Sequence, residues 1–190
     1  MDTRLLIIIV VAAVAVAAVA WWYVQTRRRE HLRARFGPEY ERAVREAGDQ
    51  TKAEAMLTHR ERRIAKLKIR ALEPEESSRF REAWRRVQAR FVDDPKGAVT
   101  EADRLITEVM SARGYPMTDW EQRVADISVD HPRVCEHYRQ GHDIALRHER
   151  GEASTEDLRQ AMMHYRDLFA ELVEPAREHA VDHKAERRAG

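Results

Sequence analysis

The stretch LLIIIVVAAVAVAAVAWWYVQTRRR, residues 5–29, decides how the rest of the chain is read. From Leu5 to Val24 it carries 20 residues without a charge. At the rise of an α-helix such a run is about 30 Å long, the thickness of a bilayer's hydrocarbon core. Trp21, Trp22 and Tyr23 close it, where amphipathic rings favour the headgroup level, and Arg27, Arg28 and Arg29 follow as a stop. Core, aromatic belt and basic collar stand in the order of a transmembrane anchor, expected over residues 1–26.

The competing reading is a secretory signal cut after Ala20, because Ala18-Val19-Ala20 has the small-x-small form that signal peptidase accepts. Against it stand the nearly uncharged start, an apolar run longer than a signal core, and arginines directly behind the cut. Orientation follows from positive charge near each end. Arg27, Arg28, Arg29, Arg33, Arg35 and Arg42 on one side face Arg4 on the other, so the N-terminus is expected outside and the residues from about Gln25 onward in the cytoplasm.

The formal net charge of +1 hides a segregation. Residues 27–70 hold 14 Lys/Arg against 7 Asp/Glu, whereas residues 71–174 hold 15 against 22. A basic juxtamembrane stalk, 27–71, is therefore expected ahead of an acidic domain, 72–174, with a charged, fraying tail over 175–190. Arg27, Arg28, Arg29, Arg33 and Arg35 are the expected contacts to anionic lipid headgroups. The single Cys135 forbids an intrachain disulfide and points weakly to a reducing compartment.

In the stalk, Leu32, Phe36, Tyr40, Val44 and Ala47 recur at steps of three and four, one helix face interrupted at Gly37-Pro38 and ended near Gly48-Asp49. Leu57, Ile64 and Ala71 then fall at heptad spacing. Arg60 breaks that ladder, which leaves a weak signal for a coiled coil and a homo-oligomer. RERRIAKLKIR lacks aromatic stacking residues and a reader fold, so no nucleic-acid partner is expected.

Beyond the stalk the sequence predicts an all-α, five-helix bundle. Pro74 opens a helix with Phe80, Trp84, Val87 and Phe91 on one face. Asp94-Pro95 starts the next, whose apolar side is Ala98, Val99, Ala102, Leu105, Ile106, Val109 and Met110 before Gly114. Thr118-Asp-Trp-Glu121 has capping-box form. His131-Pro132 opens a helix with Val134, Tyr138, Gly141 and Ala145, and Ser154-Thr-Glu-Asp157 caps a last one bearing Leu158, Ala161, Met162, Tyr165, Leu168, Phe169 and Leu172.

Cys135, His137, His142 and His148 crowd one helix, with His131 before it and His164 on the next. Steps of two, five and six scatter them, and neither HExxH nor CxxC occurs, so no metal site is expected. Asp93-Asp94 reads as a helix cap, and Tyr115-Pro116 as an exposed loop plug. There is no phosphate loop, nucleophile elbow or kinase signature. No catalytic residue or cofactor is expected; an enzyme using His131, His137, His142 or Asp130 is the alternative.

The stretches LRARFGPEYERAV, RFVDDPKGAVTEADRLITEVMSARGYP and SVDHPRVCEHYRQGHDIALRHERGEASTEDLRQAMMHYRDLF resemble a family of uncharacterised bacterial single-pass membrane proteins, largely actinobacterial. The resemblance implies an anchor, a basic juxtamembrane region and a helical C-terminal domain. It carries no activity or catalytic residue. The expected role is a membrane-held interaction module with a protein partner.

Overall fold

The structure, a computed structural model, describes residues 3–173, without the side chains of residues 3–6 and 8–10. The expected tail lies outside the described residues. The regular structure of the described residues is all helical, with no strand among them: α1 Thr3–Phe36, α2 Pro38–Ala47, α3 Gln50–Ile64, α4 Pro74–Arg90, α5 Pro95–Arg113, α6 Trp120–Asp130, a 3-10 turn Pro132–Val134, α7 Cys135–Glu149 and α8 Thr155–Val173. It divides into two compact units at His59/Arg60.

In the first unit α1 runs unbroken through the apolar stretch into the basic one and stops at Gly37. That residue's φ of 47° lies in the left-handed region, and Pro38 behind it starts α2 with its ring-fixed backbone. Gly48, also left-handed, ends α2 by donating its N–H to the Val44 carbonyl. Leu32, Phe36, Tyr40, Ala43, Ala53 and Leu57 are buried. Val44 and Ala47, expected on this face, are only half-buried, because the break at Gly37 resets the helical register and Ala43 turns inward instead. Arg28 Nη2 donates to Thr58 Oγ1 at 2.8 Å and Arg29 Nε to Glu54 Oε1 at 3.0 Å, so α3 runs back alongside α1.

The expected heptad ladder does not continue. Helix α3 ends at Ile64, and Ala71 is exposed in an irregular connector, residues 65–73. Within the second unit this connector is fastened to the bundle. Arg70 N–H donates to the Arg113 carbonyl at 2.9 Å, and Arg113 Nε donates to the Arg70 carbonyl at 3.2 Å. A Cβ on Gly114 would lie 2.7 Å from the Lys68 carbonyl oxygen, so only glycine fits there. Arg63 donates to the buried Asp126 at 3.0 Å, and Arg70 grips Glu76 with both terminal nitrogens. Arg63 at the end of α3 and Arg70 in the connector are thus each paired with a carboxylate of the bundle.

The bundle, α4 to α8, follows its amphipathic periods. All seven expected residues of α5 and all seven of α8 are buried, as are Phe80, Trp84 and Val87 of α4. Trp84 stacks on Phe169 with centroids 4.8 Å apart. Phe91 is only half-buried, since α4 ends one residue earlier. Asp94 caps α5 through Gly97 N–H, and Ser154 and Asp157 bond each other's backbone N–H at the start of α8. Two further details differ from the expectation. The cap of α6 is Asp119, not Thr118, because its carboxylate reaches Gln122 N–H at 2.8 Å. Val134, just before α7, and Tyr138 and Gly141 on it lie inward as expected, but toward the helix end Ile144 rather than Ala145 is buried.

Candidate functional site

From Val11 to Val24 every described side chain of α1 is exposed, and steps of 100° carry Val11, Val14, Val16 and Val19 around the axis. Trp21 and Trp22 are 68% and 65% exposed. A helix that is apolar all round belongs in a protein core or in lipid, because water solvates neither face well. Among the described residues no helix is long and apolar enough to cross a membrane. The side chains of Leu5, Leu6, Ile8, Ile9 and Val10, on which the expected span also rests, lie outside that description.

The five arginines expected at the lipid surface have distinct environments. Arg27 Nε donates to the Tyr23 hydroxyl at 3.0 Å, with its guanidinium over the same ring, so it folds back toward the aromatic belt. Arg28 is exposed and bonded to Thr58. Arg33 lies over the Tyr40 ring and 3.8 Å from Glu41, and Arg35 is exposed near the end of α1. Arg29 is committed inward. It meets Glu54, a carboxylate only 7% exposed that also accepts from the Tyr40 hydroxyl at 2.8 Å, while Gln50 donates to that same hydroxyl. A buried carboxylate held by a guanidinium and a phenol is a clamp between helices. The sequence signal for it, Tyr40 with Glu54, is two ordinary residues fourteen apart.

His131, the pair His137 and His164, and His142 go to three separate places, while His148 lies half-buried near the end of α7. His131 is buried; Arg113, which can only donate, contacts its Nε2 at 3.0 Å, leaving Nδ1–H for Glu171 at 3.2 Å. Arg113 also donates to the Leu172 carbonyl and ties the end of α8 to the connector. His137 and His164 meet through their Nδ1 atoms at 3.1 Å, with Asp167 3.5 Å from His137; burial, then His137, pulls the His164 pKa down. His142 stacks on Trp120. No group of three or more His, Cys, Asp or Glu among the described residues could hold a metal ion.

Cys135 is buried, its Sγ 3.5 Å from the His131 carbonyl oxygen. Asp94 is occupied by Gly97 N–H and Arg90, which together hold its carboxyl below the usual range. Tyr115 is a correction: it is buried rather than exposed, and its hydroxyl donates to Asp130 at 3.3 Å, because the loop after Gly114 turns back onto the bundle. Its phenol pKa is raised, chiefly by burial and then by Asp130. An open groove of about 530 Å³ lies between α4 and α5, floored by Phe80 and Leu105 and edged by Arg79, Arg86 and Glu108. It holds no nucleophile paired with a base.

The strongest functional geometry is therefore the exposed apolar-aromatic-basic succession on α1, braced by the Arg29–Glu54–Tyr40 clamp. No family model matches this chain, and no curated protein or solved structure matches it either.

Proposed function

We propose that the protein is a membrane-anchored helical docking module, with residues 1–26 crossing the bilayer once and the helical remainder held at the cytoplasmic face. One observation carries this reading. The helix α1 exposes apolar side chains on every side next to Trp21, Trp22 and Tyr23, and continues without a break into Arg27–Arg35. Bilayer is the solvent that such a surface matches, and the rings and guanidinium groups match its two outer zones.

Because α1 stays helical to Phe36, the basic segment leaves the membrane along the helix axis. Arg27, Arg28, Arg33 and Arg35 then form a collar around it, and anionic headgroups are its first partners, each basic residue near the surface gaining about 1 kcal/mol. Arg29 serves the clamp instead. The bundle is the part that meets a protein partner; its role is docking, and no chemical step is assigned to it.

The test is topological. Alkaline phosphatase fused after Gly190 is expected to be inactive and a fluorescent protein fused there to fluoresce, with the chain remaining in the membrane pellet after alkaline extraction. Active phosphatase overturns the orientation. A mature chain beginning at Trp21 overturns the anchor in favour of export.

A further inference from the structure

Four helices of the bundle converge on Asp103. Tyr165 of α8 donates its hydroxyl to Asp103 Oδ1 at 2.8 Å, and His142 Nδ1 of α7 lies 4.0 Å from the same oxygen. Trp120, the first residue of α6, stacks on His142 with centroids 3.5 Å apart and meets Tyr138 edge-on at 4.4 Å. Arg123, nearly one turn further along α6, donates to Thr107 of α5 at 3.2 Å. Gly141 keeps the packing this close, since a Cβ there would come within 3.2 Å of the Tyr165 ring.

Around this carboxylate three buried polar atoms have no hydrogen-bond partner: Tyr138 Oη, His142 Nδ1 and Arg123 Nε. Tyr138 is wholly buried. Native interiors pair such atoms with protein or with an ordered molecule, so three orphans in one neighbourhood call for an occupant. The groups also sense one another. Burial raises the Tyr138 pKa, opposed by Arg123 and reinforced by Asp103; burial lowers that of His142, opposed by Asp103 and reinforced by Arg123.

The chemistry of the set names its guest. Arg123 Nε–H donates, the Tyr138 hydroxyl can do either, and His142 Nδ1 and Asp103 can accept. One guanidinium balances one carboxylate, so an ion would leave the site charged. Ring contacts this short restrict the guest in size. We propose that Asp103, Arg123, Tyr138 and His142 form a half-buried site for one small neutral hydrogen-bonding molecule, water itself in solution, with Tyr138 at its inner end and Asp103 and His142 toward the surface. It would join α5, α6 and α7 through side chains that do not bond one another, as buried waters do with about three partners each.

The sign of one substitution tests this. In the full chain in detergent micelles, Tyr138→Phe removes a hydroxyl and nothing else. If the guest is there, its bond is lost, and the bundle's melting temperature, followed by near-ultraviolet circular dichroism, is expected to fall by about 4 °C or more. A cross-relaxation signal between a long-lived water and the Tyr138 ring protons is expected in the unsubstituted protein and absent in the variant. A melting temperature that is unchanged or higher overturns the proposal, because deleting an unpaired hydroxyl relieves the fold. So does the absence of that water signal in the unsubstituted protein, whatever the melting temperature does.

Discussion

Trp21 and Trp22 stand on α1 two-thirds exposed, while Trp84 stands on α4 at 6% exposure, stacked on Phe169. The residue type is the same and the surroundings of the two are opposite. The difference lies in what accompanies them. Around Trp84 apolar residues recur on one face of a helix otherwise rich in Arg and Glu, so packing against α8 completes it. Before Trp21 the apolar residues leave no polar face at all, and intramolecular burial of one side would still expose the others. Periodicity, rather than hydrophobicity, separates a core helix from a helix that needs another solvent.

The sharpest break in this comparison is Trp84→Ala. Removing a large ring from the bundle core is expected to cost about 3–5 kcal/mol, much of a small domain's stability, whereas Trp21→Ala leaves the denaturation midpoint of the bundle in place. Chemical denaturation of the full chain in detergent, followed by far-ultraviolet circular dichroism, reads both. Equal effects would mean that the two environments have been misread.

A smaller effect separates the arginines of α1 from one another. Arg29→Ala strands the buried Glu54 carboxylate with only the Tyr40 hydroxyl, and is expected to destabilise the first unit by about 2–3 kcal/mol. Arg27→Ala removes an exposed contact to Tyr23 and is expected to change stability by less than about 0.5 kcal/mol while weakening retention on anionic vesicles. Amide hydrogen exchange over residues 38–59 distinguishes them, and indistinguishable protection in the two variants would remove the clamp.

The smallest effect concerns acid. Hydrogen bonds from Arg70 and from Glu73 N–H hold the Glu76 carboxyl down at about 2, against an ordinary value of 4.5. A depressed carboxyl stabilises the fold above the unfolded value, and that contribution is lost as pH falls from about 4.5 through about 2. The site is exposed, so the change is modest. Glu76→Gln should flatten the stability profile in that window alone, and an unchanged profile would show that the connector is not held by this pair.

The sequence by itself determined the elements whose burial is one-sided. The apolar faces of α5 and α8 repeat at the helical period over five turns, long enough that no other register buries them. Gly37, Pro38, Gly48 and Gly114 marked the ends of α1, α2 and α5 because few other residues fit a left-handed or ring-fixed backbone. Tertiary structure alone decided the polar pairings. Glu54 with Arg29 and Tyr40, Arg113 with the carbonyls of Arg70 and Leu172, and Asp103 with Tyr165 join residues up to 62 positions apart. Tyr115, expected outside, was drawn inward by Asp130, and His131, His137 and His142 were sent to three neighbourhoods by the partners that α5, α6 and α8 bring to them. A hydrogen bond depends on two atoms meeting at about 3 Å, and that meeting is set by how helices pack, which no local spacing records.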